Sequence, residues 1–184
     1  MIRTITFVVF VWYNLMLKAR SLEFISDDQK FGVKMKRKEI CRMLKICRDA
    51  RDQEVGGILI GTYDLENRYA LVKSISDAPC DSLQSRNWFQ RGVQGLQDML
   101  NYSWQEDRQF YLGEWHFHPY SSSQASPLDV QQMRDISLSK TSNCPEPILL
   151  ILGGNPRKSW EISAYVFPRN QMWLRLRNVS RTCL

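Results

Sequence analysis

His116 and His118 stand two residues apart in the stretch GEWHFHPYSSSQASPLD, residues 113–129, and they are the only histidines in the chain. Residues 109–118 are rich in strand formers, among them Phe110, Tyr111, Leu112, Trp115 and Phe117. On a strand, side chains two apart leave the same face, so that face presents two imidazoles while Trp115 and Phe117 turn to the other side and into a core. Pro119 ends the strand and a serine-rich loop follows. Ser126-Pro127-Leu128-Asp129 then opens a helix, with Ser126 as N-cap and proline at the first helical position. Asp129 falls in the first turn, from which its carboxylate can swing back to the histidines.

Two neutral imidazoles and one carboxylate leave the fourth position of a tetrahedral zinc open, as in catalytic rather than structural sites. Each half has a plainer reading when taken alone. Two histidines on a strand face could be surface residues, and S-P-x-D is an ordinary helix start in which the acid favours the positive helix end. What favours a metal is that both histidines of the chain fall beside an aspartate and a serine at a defined distance.

The string H-x-H-P-x(6)-S-x-x-D resembles the signature of the JAMM metalloproteases, also called the MPN+ or JAB family. That resemblance implies a zinc ion held by His116, His118 and Asp129, with Ser126 stabilising the oxyanion. It also implies a glutamate general acid/base just ahead of a strand of the form E-x-G-G-x-L-x-G, and residues 54–61, EVGGILIG, fit it at every position with Glu54 in that role. Glu114 is the competing carboxylate. On the histidine face of the strand it could orient an imidazole N–H or even be a ligand. Zinc would lower the pKa of a water in the open position, Glu54 would move its proton, and Ser126 would donate to the oxyanion while its oxygen caps the helix.

The same resemblance implies cleavage after the C-terminal glycine of a ubiquitin-like protein. The short form with G-E-W-H-x-H-P is most similar to bacterial members encoded beside E1/E2-like conjugation proteins, above all the deubiquitinase-like peptidases of CBASS anti-phage operons. These release a CD-NTase, a cyclic-nucleotide synthase, from targets to which an E1–E2 fusion has attached it. The expected partners are therefore a ubiquitin-like or CD-NTase C-terminal tail with its conjugate, and an E1/E2-like fusion protein. Two alternatives stay open: a protease that matures a sulfur-carrier or ubiquitin-like precursor, and a non-catalytic MPN scaffold.

The elements that must position these residues follow from periodicity. Residues 22–25 suit a strand. Residues 36–51 place Ile40, Met43, Leu44 and Cys47 at helical spacing. Residues 55–62 and 69–75 suit a hairpin, within which Gly56 and Gly57 serve either close approach of another backbone or ligand, or a bulge. A loop over 76–86 precedes a predicted helix over 88–104 with Val93, Leu96, Met99 and Leu100 on its apolar face. A helix over 127–139 follows the histidine strand. Residues 147–152, PILLIL, read as a strand buried on both faces beside it, and 159–167 with 171–178 as a closing hairpin. The expected fold is α+β: a curved mixed sheet flanked by helices, of the cytidine deaminase-like type that the resemblance implies, forming one domain over residues 22–184.

Ahead of it, residues 5–17, ITFVVFVWYNLML, are hydrophobic but short of the roughly 20 residues that span a bilayer, and no small-x-small cleavage site follows. A strand, a signal peptide and a natural start at Met16 all remain open readings. The chain has 184 residues, a 24% charged fraction and a net charge of +6, which fits a solvated globular domain. Apart from one knot at Lys34 to Lys38 the basic residues are dispersed, so neither a nucleic-acid nor a membrane partner is expected. Five cysteines without a C-x-x-C pair point to a reducing cytosol rather than a disulfide framework, which the resemblance implies is a bacterial cytoplasm, with Cys41 and Cys47 expected in the core.

Overall fold

A computed structural model describes residues 20–180; the hydrophobic 5–17 segment and Cys183 lie outside the described residues. In chain order the elements are β1 (Ser21–Ile25), β2 (Gly32–Lys36), α1 (Arg37–Ala50), β3 (Val55–Tyr63), β4 (Tyr69–Ile75), β5 (Leu83–Gln84), β6 (Phe89–Gln90), α2 (Leu96–Asp107), β7 (Phe110–Pro119), α3 (Pro127–Leu138), β8 (Ile148–Asn155), β9 (Ser159–Val166) and β10 (Leu174–Asn178). Eight of the strands close a barrel in the order β1-β10-β9-β8-β7-β3-β4-β2, and β5 pairs with β6 in a separate two-stranded hairpin.

The mixed α+β character is as the periodicity implies, but the expected curved mixed sheet is corrected to a closed barrel. The barrel strand that the periodicity does not announce is β2. Its GVKMK sequence keeps Val33 and Met35 buried while Lys34 and Lys36 face outward, so the knot of lysines masks a short alternating strand. Running antiparallel to β1 and parallel to β4, β2 joins the two sheet edges. Register shifts at Leu59/Ile60 and Ile60/Gly61 add the bend that closure needs.

The main core lies between the strands and α1, and includes Leu22, Met35, Met43, Leu44, Trp115 and Phe117. Cys47 joins it, whereas Cys41, expected there too, is exposed; the four described cysteines are all free. The stretch PILLIL does run parallel to the histidine strand, as β8 beside β7. Leu150 and Leu152 enter the main core, while Leu149 and Ile151 pack with Met133 of α3 on the opposite face. The β7–α3–β8 crossover thereby presses α3 onto the sheet next to the histidines.

The helix expected over 88–104 starts at Leu96 instead. Ser82 Oγ accepts the N–H of Gly92, and the Asp81 carboxylate accepts those of Val93 and Gln94. These bonds hold residues 92–94 out of a helix, and Gly95 then turns with φ +77°. Of the predicted apolar face only Leu96 is buried and Leu100 partly so; Val93 is 69% exposed and Met99 39%.

Candidate metal centre

β7 delivers Glu114, His116 and His118 to one face, with Trp115 and Phe117 in the core behind them. β8 supports it from one side and β3 from the other. Gly56 of β3 lies opposite His116, and a Cβ there would stand 2.4 Å from the Trp115 carbonyl oxygen and 2.9 Å from His116 Cδ2. The glycine pair thus serves close approach rather than a bulge, the approaching groups being the protein's own. Gly153 plays the same part opposite His118, where a Cβ would meet backbone atoms of Ser122 and Ser123 at 2.5 Å.

α3 brings the third group. Ser126 is its N-cap, and the capping is reciprocal: Asp129 N–H donates to Ser126 Oγ (3.1 Å) and Ser126 N–H to Asp129 Oδ2 (2.7 Å). The cap fixes Asp129 facing β7. Asp129 Oδ1 lies 2.7 Å from His116 Nδ1, and Oδ2 lies 3.6 Å from His118 Nε2. One donor atom from each of His116, His118 and Asp129 falls within 4.8 Å of the others, and all three residues are buried.

The second nitrogen of each ring is engaged elsewhere. His118 Nδ1 donates to the Ser122 carbonyl at 3.3 Å, and His116 Nε2 lies 3.4 Å from Glu114 Oε2. His116 Nδ1, His118 Nε2 and the Asp129 carboxylate are what remains to face an ion, a nitrogen–nitrogen–oxygen donor set that fits a divalent metal. Electrostatics agree with a seat for positive charge. Burial alone would push His116 down, but its bonds to Asp129 and Glu114 hold it up, to about 9. Burial would raise Asp129, yet the His116 bond and charge draw it down to about 2. His118 is lowered, chiefly by burial.

Glu54 precedes β3, its N–H donating to the Ser85 carbonyl at 2.8 Å. Its carboxyl is pushed up to about 7 by partial burial and then by the Asp129 charge, with His116 opposing. Glu54, His116, His118, Ser126 and Asp129 line one cleft of about 330 Å³, whose outer wall carries Trp88 and Phe89. Every site residue expected from sequence is therefore at this cleft or, for Glu114, directly behind it.

Residues 37–163 match the family described as prokaryotic homologs of the JAB domain. The chain belongs to this family. A relative from Enterobacter hormaechei subsp. hoffmannii (strain UCI 50), named CD-NTase/cGAS isopeptidase, is 37% identical over 89% of this chain and 90% of its own length. A second, from Sinorhizobium fredii (strain NBRC 101917 / NGR234), is named Probable metalloprotease y4qB and is 27% identical over 67% of this chain and 76% of its own. The solution structure of a Desulfitobacterium hafniense protein superposes with a TM-score of 0.53 at 16% identity, covering 77% of this chain and 87% of that one, a likeness of fold alone.

In this JAB chain the site also draws on residues that the sequence reading passed over. Phe89 sets its ring edge-on to His116, with centroids 5.8 Å apart. Arg91 and Gln132 both reach Glu114. Gln132 was legible in principle, since it lies three residues after Asp129 and so on the same helix face. Arg91 had no such signal, because it sits in the stretch misread as helix.

Proposed function

We propose that the protein is a zinc-dependent isopeptidase, with its domain over residues 22–184, that cleaves after the C-terminal residue of a ubiquitin-like protein or of a CD-NTase conjugated in the ubiquitin-like manner. His116, His118 and Asp129 would hold the zinc, which when bound supplies a Lewis acid that activates water and polarises the scissile carbonyl. Glu54 is the general base and then the general acid: it accepts a proton from water and gives it to the departing lysine amine. A carboxyl near neutrality suits both transfers. Ser126 accepts the Asp129 N–H through a lone pair, so its hydroxyl hydrogen stays free to donate to the carbonyl oxygen as negative charge develops there. Glu114 holds His116 from behind, keeping the ring at the angle its partners require.

The observation that carries this reading is the meeting of a buried His-His-Asp set with a partly buried glutamate in one cleft. Keeping His116, His118, Asp129, Ser126 and Glu54 together argues against a non-catalytic scaffold. The substrate class draws support from the relative named CD-NTase/cGAS isopeptidase, aligned along nearly the whole chain. The reaction would reverse the work of an E1–E2-type conjugating fusion in anti-phage defence, inside the bacterial cytoplasm. No helix of the described residues is long and apolar enough to cross a membrane. The test is to offer the purified protein two matched substrates, a CD-NTase joined through its C-terminus to a target lysine and a linear fusion of the same tail. Preferential, chelator-sensitive cleavage of the lysine conjugate is expected. Preference for the linear fusion would make it a precursor-processing protease, and zinc binding without cleavage of either would return it to a scaffold.

A further inference from the structure

Glu114 has no exposed surface, and holding one nitrogen of His116 does not account for its other contacts. Its Oε1 accepts from Arg91 Nε at 2.9 Å, with Arg91 Nη2 also 2.9 Å away. Its Oε2 accepts from Gln132 Nε2 at 2.8 Å and lies 3.4 Å from His116 Nε2. Three separate pieces of chain meet on this carboxylate: the segment between β6 and α2 through Arg91, the histidine strand β7, and the aspartate helix α3 through Gln132. Arg91 is itself mostly buried and is steadied by donating from Nη1 to the Gly92 carbonyl at 2.9 Å.

A buried ion pair is a poor device for stability alone, since a well-packed apolar pair of the same volume often folds as well or better. A fixed carboxylate behind a ligating histidine has a recognised effect on metal sites: it sets ring orientation and raises the basicity of the nitrogen that faces the ion. A carboxylate buried without a counter-charge would give up its charge, and Arg91 supplies that counter-charge. We propose that Arg91, together with Gln132, is a positioning residue of the metal centre. Its guanidinium fixes Glu114 as the carboxylate that orients His116, and Gln132 ties the Asp129 helix to the histidine strand through the same group. Arg91 also anchors the segment carrying Trp88 and Phe89, so the cleft wall and the metal ligands share one fastening point. This inference rests on the metal-centre reading above.

The test uses the full chain and the variants Arg91→Met, Arg91→Lys, Glu114→Gln and the Arg91→Met/Glu114→Gln double. Zinc affinity is measured by chelator competition, the ligand field by the visible spectrum of the cobalt(II)-loaded protein, and fold stability by melting in excess chelator. Arg91→Met is expected to weaken zinc by about 10–100-fold and to alter the cobalt spectrum. Arg91→Lys, which restores the charge but not the planar fork, should recover part of the loss. The double variant should be no weaker than the worse single one, because both remove the same link. Arg91→Met with unchanged zinc affinity and cobalt spectrum overturns the proposal, whatever happens to melting, for the pair is then structural only. Should Arg91→Met fail to fold, Arg91→Lys decides: a weakened site in a protein melting normally in chelator supports the proposal, and an unchanged site overturns it. Zinc bound by the wild type and loosened in Arg91→Met, without cleavage of any conjugate, would support this inference while overturning the peptidase reading.

Discussion

Replacing Gly56 by alanine adds one methyl at the tightest point of the site. The new Cβ would lie 2.4 Å from the Trp115 carbonyl oxygen and 2.9 Å from both His116 Cδ2 and Phe89 Cε1, where ordinary contact begins near 3.4 Å. The carbonyl must therefore retreat by about 1 Å and the imidazole by about 0.5 Å, distances that follow from the same contacts. Neither can move freely, because Gly56 and His116 are directly paired in the β3–β7 ladder and the far side of β7 is pinned by β8. Overpacking of this kind costs about 1–3 kcal/mol, which for a chain of this size is a fall in Tm of roughly 2–12 °C in chelator. Because the ring that must yield belongs to a proposed zinc ligand, zinc affinity should fall as well. A tenfold loss would remove about 1.4 kcal/mol of the stabilisation that saturating zinc confers. Melting in chelator and then in zinc reads both effects. A Gly56→Ala protein that melts like wild type in both conditions would refute the reasoning that Gly56 is there to let His116 approach.

Gly153→Ala should loosen His118 by the corresponding route, since its methyl displaces the backbone that offers the Ser122 carbonyl; weaker zinc binding with little change at His116, followed by NMR of the imidazoles, is the expected result. Ser126→Ala removes a cap worth about 1 kcal/mol and the proposed oxyanion donor, a role worth about 10²–10³ in kcat, so Tm should drop slightly while turnover drops steeply; equal turnover would remove Ser126 from the chemistry. As the proposed base Glu54 would work only when ionised, and its carboxyl, pushed up to about 7 by burial and by Asp129, will be drawn lower by a bound cation. Its base form is lost as pH falls through that value, so kcat/KM should decline with unit slope on the acid side at or below about 7. The same acid limb surviving unchanged in Glu54→Gln would exclude Glu54 as the base.

How far the sequence led depends on the kind of signal each residue carried. The placement of His116, His118 and Asp129 was legible because period-two alternation and an S-P-x-D helix start are local rules that act over a few residues. The strand after Glu54 was legible for the same reason, as was β8, whose unbroken apolar run has no other comfortable place in a fold. Barrel closure was not legible, because it depends on β2, a five-residue strand whose two lysines looked like a solvated charge cluster and whose partners, β1 and β4, are distant along the chain in one case. The false helix over 88–95 arose from apolar spacing that ignored Gly92 and Gly95; side-chain bonds from Ser82 and Asp81 outweigh helical propensity there. Arg91 escaped notice with it, since the contact that gives it meaning joins residues 23 positions apart.

The central claim, a metal-dependent hydrolase in which Glu54 moves the proton, is tested most directly by measuring zinc content and conjugate cleavage side by side in the wild type, Glu54→Gln and His118→Ala. The expected result is about one zinc per chain in the wild type and in Glu54→Gln, with cleavage reduced by at least about 10² in the latter, and loss of both zinc and cleavage in His118→Ala. Cleavage at the wild-type rate by Glu54→Gln, or zinc held undiminished by His118→Ala, would contradict it.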